Sequence, residues 1–226
     1  MRISVVIPAF NEEEAIGQVV REIPGHLIHE VIVVDNGSTD STAIRAQEAG
    51  ARVVREPIKG YGAACRAGLN ATGETDIVVF LDGDKSDDPK DLPRILSPIR
   101  NDAADFVLGS RISSPREIGA MPSHARLGNR VIAQLMRGVY GIEITDVGSF
   151  RAIRKNLLLS LGMKQMTFGW PVEMLVKAAK QGARIKEVTV NYRKRIGESK
   201  VSGTFRGSVL AAYYMLWIPL RYIIKD

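Results

Sequence analysis

The sequence predicts an α/β fold, a mostly parallel sheet with helices on both faces. Short apolar strands alternate with helix-period segments through the first 110 residues, and polar residues gather where the strands end. Ligands of such sheets bind beyond the carboxyl ends of the strands, so the loops there are where function should reside.

Ile3–Ile7 is a continuous apolar run suited to a buried parallel strand. Asn11, with Glu14 three places on, reads as a capping box opening a helix through Ala15, Ile16, Val19 and Val20. Val31–Val34 is the second strand, and the Ser38, Thr39, Asp40, Ser41 cluster caps a helix ending near Gly50. Arg52–Arg55 is a short third strand, Gly62–Asn70 the next helix, stopped at Gly73, and Ile77–Leu81 the fourth strand. Phe106–Gly109 adds another strand.

The fourth strand runs into Asp82-Gly83-Asp84. If the backbone stays extended there, the two carboxylates share a side and invite a divalent cation, while Gly83 lets another group approach the backbone. Helix capping is the alternative use for the pair, but Asp87 and Asp88 before Pro89 already fill that role. Pro8-Ala9-Phe10-Asn11-Glu12-Glu13 follows the first strand and Asp35-Asn36-Gly37-Ser38-Thr39-Asp40 the second, so three strand exits carry groups that could hold a base, ribose or diphosphate. Lys59-Gly60-Tyr61-Gly62 enters a helix, where backbone N–H groups favour phosphate. Cys65 stands where a third glycine would complete a dinucleotide fingerprint, so a tight turn is the competing reading.

The chain of 226 residues carries a net charge of +6, divided unevenly. Residues 1–100 hold 11 Lys and Arg against 16 Asp and Glu, and residues 101–226 hold 20 against 9. An acidic half able to hold metal thus precedes a basic half able to hold phosphate, nucleic acid or an anionic membrane. The acidic loops and the lack of aromatic-basic motifs argue against nucleic acid. One cysteine, Cys65, cannot form an internal disulfide and reads as a small buried hydrophobe in a reducing compartment. The opening Arg2-Ile3-Ser4-Val5-Val6 shows no cleaved leader. His26, His29 and His124 have no partners at metal spacing and read as surface residues.

In order along the chain, Val5–Glu13, Val33–Asp40, Gly60–Ala64, Asp82-Gly83-Asp84 and Leu108-Gly109-Ser110-Arg111 resemble the motifs of family 2 glycosyltransferases with the GT-A fold. Gly128-Asn129-Arg130, Asp146–Arg151, Glu173 within Val172–Ala178, and Tyr192–Lys200 resemble the dolichol-phosphate mannose synthase, or polyprenyl-phosphate glycosyltransferase, branch. The resemblance implies one GT-A (Rossmann-like) domain over 1–203, with a nucleotide-sugar half at 1–110 and an acceptor half at 111–203. It implies Pro8, Ala9, Phe10, Glu12, Asp35, Gly60, Gly62, Gly83, Arg195 and Lys200 around the donor, GDP-mannose or UDP-glucose. Asp82 and Asp84 would bind Mg²⁺ or Mn²⁺, and Arg111, Arg130, Arg193 and Ser199 the lipid phosphate of the acceptor. Phe10, Gly83 and Ser86 depart from the branch, which favours Tyr, Ala and a metal-contacting Gln, and Gly148-Ser149-Phe150-Arg151 lacks its usual Gly-Phe-Arg order.

The resemblance also implies transfer with inversion. A phosphate acceptor is already anionic near neutral pH and needs no strong base, whereas a sugar hydroxyl does; Asp146 and Glu173 are the candidate bases. The remaining readings are transfer to a soluble or glycan hydroxyl and nucleotide-sugar binding without turnover. Gly207–Leu220 is 14 residues without charge, short of the ~20 that span a bilayer. Its Tyr213, Tyr214 and Trp217, with Tyr222 and the flanking Arg206, Arg221 and Lys225, suit an amphipathic membrane-surface helix over 204–226. A core helix is the alternative. Leu127–Tyr140, with Arg130 and Arg137, reads as a second interface helix. The expected location is cytoplasmic, peripheral on the inner face of the membrane.

Overall fold

The computed structural model describes residues 1–112, 123–197 and 205–224, with side chains in the last two segments described from 128 and over 213–223. Seven strands form one sheet: β1 (Ile3–Ala9), β2 (Glu30–Asp35), β3 (Arg52–Arg55), β4 (Ile77–Phe80), β5 (Phe106–Ser110), β6 (Arg151–Arg154) and β7 (Ile185–Thr189). Their order is β3-β2-β1-β4-β6-β5-β7. The β1–β2, β2–β3, β1–β4 and β5–β7 pairs are parallel, and β6 runs antiparallel between β4 and β5.

Alternation along the strands builds a core on each face. Val6, Val34, Val78 and Phe80 point into one core with Ala64, Cys65 and Leu69 of α3 (Tyr61–Ala71), Ile132 and Met136 of α5 (Ser123–Tyr140), Leu158 of α6 (Lys155–Ser160), and α7 (Trp170–Lys180). Val5, Ile7, Ile77 and Val79 point into the other with α1 (Ile16–Glu22), α2 (Thr42–Glu48) and α4 (Leu92–Arg100). On α4 the buried residues Leu92, Ile95, Leu96 and Ile99 make one apolar stripe. Cys65 is fully buried, and burial pushes its thiol well above the usual range, as a packed hydrophobe requires.

Several local expectations are corrected. No capping box forms: Ala15 precedes α1 with no side-chain cap. Asn11 sits at φ 52° and its Oδ1 accepts from the Thr39 N–H at 2.8 Å, tying the β1 exit to the β2 exit. Of the pair before Pro89, only Asp88 caps, accepting from the Lys90 N–H. The strands β6 and β7 and helix α6, in the second half, carry no strong sequence period, so local patterns do not announce them.

Helix α8 (Phe205–Ile224) falls within the predicted 204–226 helix. It packs on the core through Ile218, Tyr214, Met215 and Tyr222. The Tyr140 hydroxyl donates to the Pro219 carbonyl at 2.6 Å and the Tyr222 hydroxyl to Glu173 at 2.7 Å. Tyr213, Leu216, Trp217, Leu220 and Ile223 form a second, exposed apolar stripe. Among the described residues no helix is long and apolar enough to cross a membrane.

Candidate functional site

A cavity of about 360 Å³ opens at the carboxyl ends of β1, β2 and β4. The β1 exit contributes Pro8, Ala9, Phe10 and Glu12, the β2 exit Asn36, and the β4 exit Asp82, Gly83 and Asp84. Lys59, Gly60, Tyr61 and Ala64 close one side, and Phe168 and Arg195 come from far along the chain. Lys59 Nζ stands 5.1 Å from the centre of the Phe10 ring, so an aromatic plate and a cation share one wall. A wider depression between α4 and β7 is lined by Pro93, Arg94, Ser97, Pro98, Val188 and Thr189, with one charge and no acid-base cluster.

The carboxylates meet by a turn, not by strand alternation. β4 ends at Phe80, and residues 83–84 form a turn followed by Lys85 at φ 65°. A Cβ at Gly83 would first meet Ile16 and Ile7 of the core. Burial, and then the charge of Asp84, raise Asp82 to about 6. Burial, and then Asp82, raise Asp87 to about 8. Asp87 is 1% exposed; its Oδ2 accepts from the Ser149 hydroxyl at 3.1 Å, while its Oδ1 has no hydrogen-bond partner. Crowded, desolvated carboxylate oxygens with one left orphaned are the surroundings a hard divalent cation relieves.

A strap over residues 191–197 crosses this turn. The Asn191 N–H donates to Asp91 (2.6 Å), the Arg193 N–H to the Ser86 carbonyl (2.8 Å) and the Ile196 N–H to the Asp84 carbonyl (2.9 Å). It delivers Arg195, whose Nη2 lies 3.0 Å from Asp84 and 3.5 Å from Glu12. Arg193, read as an acceptor-phosphate residue, instead pairs with Glu22 and Asp88, and its guanidinium is spent holding the strap to α1.

The phosphate reading of the glycine loop is overturned in part. The Gly60 N–H donates to Asn36 Oδ1 at 2.7 Å and the Ala63 N–H to the Met166 carbonyl at 2.9 Å, so both are committed inside the protein. Gly60 adopts φ 149°, and a Cβ on either Gly60 or Gly62 would overlap the backbone of 165–166. Close approach of the segment bearing Phe168 explains the glycines. Asn36 Nδ2 also donates to the Glu56 and Ile58 carbonyls, welding the loop to the β2 exit. Asp35 lies just behind the wall, 8% exposed, its Oδ1 accepting from the Ser38 N–H.

In the second half of the chain, Asp146 is fully buried and takes Arg111 Nε at 2.6 Å and Nη2 at 2.8 Å, with Asn129 Nδ2 at 2.6 Å. Burial pushes the Asp146 carboxyl up, but Arg111 outweighs it and holds the group below the usual range. Arg111 also lies over the Tyr192 ring, and Arg130 is exposed on α5. Glu173 is fully buried and accepts from the N–H groups of Lys164 and Gln165 and from the Tyr222 hydroxyl, with Lys177 Nζ at 2.9 Å. Both candidate bases are thus engaged within the protein, Asp146 by Arg111 and Asn129 and Glu173 by two backbone N–H groups, Tyr222 and Lys177. Ser199 and Lys200 lie outside the described residues.

The profile of "Glycosyl transferase family 2" matches residues 4–162. The chain belongs to this family. An uncharacterized glycosyltransferase of Mycobacterium tuberculosis is 40% identical over 212 residues, 92% of this chain and 94% of the relative. A dolichyl-phosphate hexose transferase of Haloferax volcanii is 36% identical over 213 residues, 92% of this chain and 90% of the relative. Glucosyl-3-phosphoglycerate synthase of M. tuberculosis, solved with Mn²⁺, UDP and glucosyl-3-phosphoglycerate, superposes with a TM-score of 0.79 at 27% identity, over 97% of this chain and 79% of the neighbour. The seven-stranded sheet is therefore that of a GT-A glycosyltransferase, and the protein is an enzyme of that class.

The family profile ends before Phe168, the strap and α8. In this glycosyltransferase the site is thus completed by the strap, whose Arg195 the Tyr192–Lys200 resemblance names, and by the segment bearing Phe168, which local sequence patterns do not announce. Phe168 sits in an aperiodic loop, and Asp87 and Ser149 were masked by helix-cap and motif readings. Only the clustering of Asp82, Asp84, Asp87 and Asp88 in seven residues hinted at Asp87.

Proposed function

We propose that the protein transfers a hexose, with inversion, from a nucleotide sugar, UDP-glucose or GDP-mannose, to polyprenyl or dolichyl phosphate at the cytoplasmic membrane face, using Mg²⁺ or Mn²⁺. The observation that carries this reading is the meeting of Asp82 and Asp84 with Phe10, Asn36, Lys59 and Arg195 around one cavity. Pro8, Ala9 and Phe10 hold the base and ribose, and Arg195 reaches the diphosphate. Asp82 and Asp84 would hold the cation, and their crowding, which with burial raises Asp82, fits it. Bound there, a divalent ion acts as a Lewis acid on the leaving diphosphate.

The acceptor assignment is supported by what Asp146 and Glu173 are doing. Both candidate bases are locked in buried ion pairs, and a phosphate acceptor needs neither. Asp146 instead aims Arg111, which with the exposed Arg130 would receive the acceptor phosphate. The exposed stripe of α8 supports a membrane surface as the place where the lipid is met. A second reading, a water-soluble acceptor, is favoured by the synthase neighbour and its phosphoglyceryl product.

One assay decides between them. Labelled UDP-glucose and GDP-mannose are incubated with polyprenyl phosphate in detergent or with soluble acceptors, with Mn²⁺ or with chelator. The proposal predicts metal-dependent label in the lipid fraction; label only in soluble product would overturn it.

A further inference from the structure

Arg195 occupies the position a cation would take at Asp84. Its Nη2 lies 3.0 Å from Asp84 Oδ2, while its Nε is buried with no hydrogen-bond partner. A buried unpaired donor costs stability, so this guanidinium is left short of acceptors. The same Nη2 lies 3.5 Å from Glu12, and the planar fork of the guanidinium matches phosphate oxygens better than one nitrogen shared between two carboxylates. The backbone beneath it is pinned by the Arg193 and Ile196 N–H bonds to the Ser86 and Asp84 carbonyls, so the side chain can move while the strap stays.

A second observation concerns the cation. Among the described residues no three His, Cys, Asp or Glu side chains are arranged to hold a metal by themselves. Asp82 and Asp84 therefore leave a divalent ion, which prefers six or more oxygens, short of protein ligands.

We propose that Arg195 is the resident counter-cation of Asp84, turning away a bare divalent ion and yielding only when a nucleoside diphosphate arrives with it. The inference rests on the donor-site reading above. A dication approaching Asp84 with Arg195 in place meets a like charge at close range, and displacing the guanidinium alone costs it its nearer carboxylate, leaving Glu12 at 3.5 Å. A diphosphate resolves both difficulties, offering oxygens to the ion and to Arg195 at once. Metal and nucleotide thereby bind as a coupled pair, each raising the affinity of the other by the same factor.

The test is Mn²⁺ binding to the whole protein without nucleotide, read by electron paramagnetic resonance. Arg195→Gln should bind Mn²⁺ alone about tenfold more tightly than wild type, within the usual range of coupling, and bind UDP more weakly at saturating Mn²⁺. Arg195→Lys keeps the charge and should stay near the wild-type value. The inference is overturned if Arg195→Gln gains nothing for Mn²⁺, or if Arg195→Lys gains as much as Arg195→Gln. Wild-type protein that takes up no Mn²⁺ even with UDP would instead sink the donor-site reading, and this inference with it. A variant-free check uses the ¹⁵N resonance of Arg195 Nε, which should move with Mg²⁺ plus UDP; movement with Mg²⁺ alone refutes the proposal.

Discussion

Asp146 grips Arg111 with both carboxylate oxygens, accepting from Nε at 2.6 Å and from Nη2 at 2.8 Å, and no part of the Asp146 side chain reaches solvent. The pair converts a residue that looked like a base into one that aims a cation. Asp146→Asn leaves a largely buried guanidinium uncompensated and should cost about 3–5 kcal/mol of stability, read from urea denaturation. Activity lost with it should fall by the same factor at every pH. A variant that kept full stability while losing one limb of its pH profile would restore Asp146 as a base.

Removal of the metal should be as damaging as removal of its carboxylates. Asp82→Asn or Asp84→Asn should lower transfer by about 10²–10⁴-fold, the loss of a Lewis acid's several kcal/mol. Excess chelator should do the same to wild type, with recovery on adding Mn²⁺. Initial rates with labelled donor measure both, and undiminished transfer in chelator would contradict the reading.

Acid stability should depend on Asp105. Hydrogen bonds from Arg184 hold its carboxyl at about 2, below the ordinary 3.8, even though partial burial opposes this. A depressed folded-state value means the pair stabilises the fold fully above about 4 and loses that contribution as pH falls through about 2. Arg184→Met should therefore lower the melting temperature at neutral pH, with the gap closing toward pH 2. An equal gap at pH 2 and pH 7 would show that packing, not charge, is responsible.

The α8 stripe should govern membrane association separately from chemistry. Trp217→Glu with Leu220→Ser replaces two half-exposed apolar side chains without touching buried Ile218. Co-sedimentation with anionic vesicles should fall by about tenfold or more, as the buried apolar area shrinks, while UDP affinity in solution is unchanged. Unaltered co-sedimentation would show that another surface meets the lipid.

Much of this molecule is legible along the chain. The first five strands and the helices between them follow from apolar runs with periods of two and 3.6, because burial against a sheet demands those spacings. Asp82 and Asp84 could be named because they follow the fourth strand, and strand exits converge on one edge of a parallel sheet, while Phe10 and Glu12 are named by the family resemblance of the loop after the first strand. Local patterns carry no record of partners far away in sequence. Only the tertiary structure decided that Glu173 is saturated by Tyr222, 49 residues on, that Gly62 serves the segment bearing Phe168, and that the strap lays Arg195 against Asp84. Charge and packing act through space, so a carboxylate's role depends on which cation the fold brings to it, and that is settled when distant segments close over the sheet.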